Sequence, residues 1–207
     1  MTIETWLAFT GTSALLLLIP GPTTLLVISY ALGRGWRSAL PVVFGVALGD
    51  FTAMTLSMLG IGALLLASAT IFNIFKLIGA AYLIYLGISL FRSGETLRAK
   101  SRSEATSSVK MLGHAWLVTA LNPKSIAFFV AFLPQFMDNN ERFLPQMMVF
   151  ETTFLALAFG NALGYAIIAS RAGKAFGSPR AIGLFHKAGG TLLIGAGIAT
   201  AVVKSTH

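Results

Sequence analysis

The residues with most chemical promise are two proline-bearing breaks and two lone acids, all inside long apolar runs. Pro20-Gly21-Pro22 interrupts the run that begins near Trp6, and Asn122-Pro123-Lys124 interrupts the run that begins near Met111. A proline inside a helix removes a backbone hydrogen bond and clashes with the preceding turn. Within lipid, such a break survives only where protein buries it or it lines a cavity. Breaks at corresponding places in two halves of a chain point to a transporter's binding site.

Each break carries helix-start chemistry. Proline suits the first helical position, where its missing N–H costs nothing. Asparagine is among the best N-caps. Asn122-Pro123 therefore reads as a helix restarting inside the membrane. Gly21-Pro22 reads the same way, with Gly21 free to adopt unusual backbone angles. A restart leaves N–H groups unpaired and exposes the positive end of a helix dipole, which suits a carboxylate or another anion. Thr23 and Thr24 add hydroxyls at the first restart, and Lys124 adds a full charge at the second. Pro20 lies roughly 21 Å along a helix from Trp6, and Pro123 roughly 18 Å from Met111. Both depths are near the middle of a hydrocarbon core about 30 Å thick. The competing reading is a pair of packing kinks that touch no ligand.

The acids are Asp50 and Glu151. Burying a charge in lipid costs about 2.5–3.5 kcal/mol on the insertion scale, so such a group is paired or functional. An acid held away from water can take up and release a proton. Asp50 is the first candidate for proton coupling or for holding a substrate ammonium, and Glu151 is the second. The alternative is a structural ion pair with Lys124 or Lys76. Gly45 and Gly49, just before Asp50, and Gly160 and Gly164, around Asn161, have the spacing of close helix contacts. Packing alone accounts for these, and for Gly189, Gly190, Gly195 and Gly197. Gln135 could meet a polar ligand or sit at the outer interface.

The elements that must position these groups follow from composition. Of 207 residues, 56% are hydrophobic and only 11% are charged, against about 25% charged in soluble domains. The chain reads as an all-α integral membrane protein. About six transmembrane helices fall near residues 6–30, 39–63, 69–91, 111–136, 144–170 and 187–204, with the second turn near Ala67–Thr70. A re-entrant element there would leave five full crossings. The net charge of +8 sits in loops, which is a topology signal and not a nucleic-acid footprint. Arg34, Arg37, Arg92, Arg98, Lys100, Arg102, Lys110, Arg171, Lys174, Arg180 and Lys187 fall on one side, and Arg142 and Lys204 on the other. Basic loops stay cytoplasmic, which puts both termini outside.

The polar segment Arg92–Lys110 reads as a mobile cytoplasmic loop joining two halves, residues 1–91 and 111–207. Its basic residues could also touch anionic lipid heads. Each half holds three spans, so the second enters the membrane from the opposite side, as a 3+3 inverted repeat with broken first and fourth helices. Asp50 lies as far beyond Pro22 as Glu151 lies beyond Pro123.

Several classes are disfavoured. There is no cysteine, which excludes disulfides and thiolate metal sites. His114, His186 and His207 have no partner at metal-ligand spacing. No nucleophile elbow and no phosphate-cradling loop occurs, so the chain reads as neither an enzyme nor an ATP-driven pump, and no cofactor or metal is implied. The N-terminus does not read as a cleaved signal peptide.

Pro20-Gly21-Pro22, the stretch Gly33–Gly49 ending in Asp50, and Asn122-Pro123-Lys124 followed by Phe128-Phe129 and Pro134-Gln135-Phe136 together resemble the LysE/RhtB family of bacterial amino-acid exporters. The resemblance covers nearly the whole chain. It implies a secondary transporter of the bacterial inner membrane that exports amino acids or close derivatives by exchange with protons. Members of the family often form oligomers, so it also implies a homo-oligomer. Joined to the residues, it yields a mechanism. A zwitterion's carboxylate sits at Pro22–Thr24 and Pro123–Lys124, its ammonium faces Asp50 or Glu151, and protonation of the acid releases it. A non-transporting partner or scaffold protein and a passive channel for small metabolites stay open as alternatives.

Overall fold

A computed structural model describes residues 2–67, 69–92, 107–138, 140–172, 187, 190–191, 194–195, 198 and 201–202. Every regular element among them is helical: α1 (Ile3–Leu18), α2 (Pro22–Arg34), α3 (Leu40–Ala67), α4 (Ala69–Arg92), α5 (Ser108–Ala120), α6 (Pro123–Ala131) and α7 (Phe143–Ala172), with short 3-10 turns at Trp36–Ala39 and Leu133–Phe136.

The prolines break the first and fourth apolar runs where the sequence places the breaks. α1 ends at Leu18, and Ile19, the residue before Pro20, is extended, as the clash with a following proline ring requires. The axis turns by 57° between α1 and α2, and by 45° between α5 and the segment from Pro123 to Phe136. Asn122 caps α6 by accepting from the Lys124 N–H at 3.1 Å, with Pro123 at the first helical position. Gly21 differs from expectation. Its backbone is extended (φ −126°, ψ −170°), which any residue adopts. The glycine whose freedom is needed is Gly35, at φ 81°, where α2 turns into α3.

α3 and α7 supply two stretches long and apolar enough to cross a membrane, Trp36–Gly60 and Phe143–Arg171, and counting each bent pair as one span brings the number to four. α3 is described to Ala67 and α4 from Ala69; the turn expected near Ala67–Thr70 includes residue 68, which lies outside the described residues. The fourth span begins earlier than the apolar run suggests. Ser107 caps α5, accepting from the Lys110 N–H at 3.4 Å, so Lys110 is helical and not part of the connecting loop. Residues 93–106 of that loop and most of the expected span 187–204 lie outside the described residues.

Contacts along α3 and α5 advance together, so these helices run parallel. Gly45 lies against the Leu112 carbonyl and the Ala115 methyl, and Gly49 against Thr119 and the Trp116 carbonyl. A Cβ on Gly49 would sit 2.5 Å from Thr119 Cβ, which no real side chain tolerates. α1 and α7 are also parallel. The Trp6 indole donates to Thr153 at 3.0 Å near one end, and Asn161 meets Leu17 near the other. Gly87 of α4 lies against Gly190, where a Cβ would be 2.7 Å from its carbonyl oxygen. The Gly160–Gly164 pair has nothing within 4 Å of either added Cβ among the described residues.

Two apolar clusters form the interior. One is aromatic, built on Phe9, Phe128, Phe129, Phe150 and Phe154, with Phe9 and Phe150 centroids 4.6 Å apart. The other is aliphatic, built on Val27, Val42, Val43 and Val46 with Met111 and Tyr165. The outer surface is apolar too, with Leu7, Phe44, Leu56, Ile78 and Leu144 exposed, as a lipid-facing surface requires.

Candidate functional site

The two breaks meet. Asn122 Nδ2 donates to Thr23 Oγ1 at 3.2 Å, and the Thr23 and Thr119 hydroxyl oxygens are 3.3 Å apart. The start of α2 thus packs on the junction of α5 and α6, between the aromatic and aliphatic clusters.

The carbonyl end of α1 is closed off by side chains. A helix leaves its last four carbonyls without α-helical partners, here those of Leu16, Leu17, Leu18 and Ile19, of which Leu16 accepts the Ile19 N–H at 3.2 Å. Lys124 Nζ donates to Ile19 at 2.9 Å and Leu16 at 3.3 Å. Asn161 Nδ2 donates to Leu17 at 3.0 Å, and Tyr165 donates its hydroxyl to Leu18 at 2.9 Å. All four acceptors are satisfied, and a cation stands at the negative end of the helix dipole, worth up to about 2 kcal/mol where partly buried.

The N–H ends are left open. Pro22 and Pro123 have no N–H, and Asn122 takes that of Lys124. The N–H groups of Thr23, Thr24 and Ser125 meet no acceptor among the described residues. They belong to residues that line a cavity of about 30 Å³, together with Asp50, Asn122, Lys124, Asn161 and an apolar wall. By the space a water needs, this volume holds about two of them. Asp50 is 3% exposed and faces Ser125 and the Lys124 ammonium, with which it interacts electrostatically. The Lys124 ammonium directs its hydrogen bonds at Leu16 and Ile19.

Of the residues singled out by sequence, Thr23, Thr24, Asp50, Asn122 and Lys124 line the cavity. Pro20, Gly21, Pro22 and Pro123 make the breaks without lining it. Glu151 is buried elsewhere, accepting from the Thr55 hydroxyl. Gln135, in the 3-10 turn Leu133–Phe136, donates to the Ala131 carbonyl at the end of α6 at 2.9 Å, which accounts for it locally. The Lys76 side chain lies outside the described residues. Sequence reading missed Ser125, Asn161 and Tyr165. Asn161 carried a signal, as a lone amide in the apolar middle of α7, but glycine spacing around it drew the packing reading instead.

The LysE type translocator family model matches residues 14–203. An "Uncharacterized membrane protein" of Vibrio cholerae is 36% identical over 99% of this chain and 100% of its own length. A "Homoserine/homoserine lactone efflux protein" of Salmonella typhimurium is 32% identical over 97% of this chain and 98% of its own. A "Leucine efflux protein" of Salmonella choleraesuis is 37% identical over 59% of this chain and 58% of its own. No solved structure matches the chain.

Proposed function

The chain belongs to the LysE type translocator family, a family of transporters rather than enzymes, and we propose that it exports amino acids or close derivatives across the bacterial inner membrane by proton antiport. The named relatives act in efflux of homoserine, its lactone, and leucine, which supports the substrate class. The observation that carries the reading is the asymmetry of the two breaks. The carbonyl end of α1 is capped by Lys124, Asn161 and Tyr165, while the N–H ends of α2 and α6 stand open at a cavity holding Asp50.

A zwitterion suits this arrangement. Its carboxylate accepts from the Thr23, Thr24 and Ser125 N–H groups, as anions do at helix N-termini. Its ammonium pairs with Asp50. Pro20, Gly21, Pro22 and Pro123 hold the breaks open, and Asn122 and Lys124 fix them to each other. The cavity is too small for an amino acid as it stands, so loading requires the two broken spans to separate at the Lys124 contacts. A proton reaching Asp50 from the opposite side neutralises it, weakens its hold on the ammonium and releases the cargo. Glu151, outside the lining, has its place in this scheme as a proton group and not as an ammonium ligand.

The scheme rests on two halves, residues 1–91 and 111–207 joined by 92–110, arranged as a 3+3 inverted repeat with both termini outside. Parallel packing of α3 on α5 and of α1 on α7 supports it, because an odd number of spans per half makes those helices run the same way.

Uptake of labelled amino acids into proteoliposomes, with and without an imposed pH gradient, tests the proposal. Gradient-driven accumulation of one or a few amino acids is the expected result. Equilibration indifferent to the gradient would replace the antiporter by a facilitator or channel, and no amino-acid flux would remove the exporter reading.

A further inference from the structure

The charge balance of the cavity narrows the cargo. Asp50 and Lys124 are the only charged side chains in its lining among the described residues, and they interact electrostatically. The Lys124 ammonium is already held by two carbonyls. Glu151 cannot supply a second negative charge there, because it is buried outside the lining against Thr55. The remaining lining offers four small polar side chains (Thr23, Thr24, Ser125 and Asn161), the Asn122 amide, and an apolar wall that includes Val27, Val46, Ala158 and Ala162.

We infer that the site takes amino acids of zero net charge and rejects lysine and arginine. This rests on the exporter reading above and goes beyond it by assigning the charge class of the cargo. A zwitterion adds one carboxylate and one ammonium, which meet the open N–H ends and Asp50. A basic amino acid brings a second cation, whose surroundings would be the apolar wall and the Lys124 ammonium. An unpaired charge removed from water is disfavoured strongly enough to slow its passage at least roughly a hundredfold. An acidic amino acid meets the mirror problem, since its second carboxylate would stand near Asp50. Side chains of a neutral substrate, apolar or hydroxylated, lie against Val27, Val46, Ala158 and Ala162 at no such cost.

The test is exchange in proteoliposomes holding the full-length protein, preloaded with unlabelled threonine and offered labelled threonine, leucine, lysine or arginine in separate runs. Entry of threonine or leucine, with lysine and arginine at least roughly a hundredfold slower, is the expected result. Lysine entering at a rate comparable with the neutral amino acids would overturn the inference and leave the exporter reading standing. No entry of any amino acid would overturn both. Thr24→Asp adds a carboxylate to the lining at the first turn of α2, a position where an acid favours a helix. In that variant, once thermal melting shows it folded, the ratio of lysine to threonine entry rises; an unchanged ratio would overturn the charge argument.

Discussion

Lys124 Nζ lies 2.9 Å from the Ile19 carbonyl oxygen, so the restart of the second broken span at α6 caps the carbonyl end of α1 in the first. The same ammonium faces Asp50 across the cavity. One side chain thus joins the two broken spans, caps a helix and balances the buried acid. On the proposed mechanism, opening the site toward either side of the membrane has to break or carry along this contact.

Lys124→Met leaves the Leu16 and Ile19 carbonyls without their side-chain donor and Asp50 without its counter-charge. An unsatisfied buried polar group costs about 1–3 kcal/mol, so a lower melting temperature in detergent is expected. Adding Asp50→Asn to that variant restores part of the loss, with a coupling of at least about 0.5 kcal/mol. Simple additivity of the two changes would show that Asp50 and Lys124 act independently.

Asp50→Asn alone keeps the size of the side chain and removes its charge. The variant folds, measured by a sharp melting transition, and loses pH-gradient-driven transport. Transport with normal gradient dependence would take Asp50 out of the mechanism.

Glu151→Gln preserves an acceptor for the Thr55 hydroxyl and lies outside the cavity lining. The KM for the transported amino acid is therefore unchanged. A large rise in KM would place Glu151 in contact with substrate and contradict the geometry.

The glycine pairs separate cleanly. Gly49→Ala forces a methyl into Thr119 and the Trp116 carbonyl, and overpacking of this kind costs about 1–3 kcal/mol. Gly160→Ala meets nothing within 4 Å among the described residues, and replacing a mid-helix glycine gains roughly 0.5–1 kcal/mol. Thermal melting of the two variants is expected to shift in opposite directions. Gly21→Ala is also tolerated, since Gly21 is extended and a Cβ there would lie in ordinary contact, 3.5 Å from Lys124 Nζ.

Local chemistry was legible in the sequence. Proline geometry ends α1 near Leu18 and restarts α2 and α6 at Pro22 and Pro123, whatever surrounds them, and Asn122 caps α6 because its own side chain reaches the Lys124 N–H. Apolar run length and charge scarcity by themselves specify a helical membrane protein. Tertiary structure decided what could not be local. It joined Thr23 to Asn122, separated Asp50 from Glu151 despite their matched spacing, and turned Lys124 away from its own helix start toward the carbonyls of α1. It also decided that Gly45 and Gly49 meet a neighbouring backbone while Gly160 and Gly164 meet nothing among the described residues. The physical reason is that a helix fixes which residues share its face. Which neighbour that face touches, and at what height along the neighbour's axis, depends on packing between segments a hundred or so residues apart in sequence.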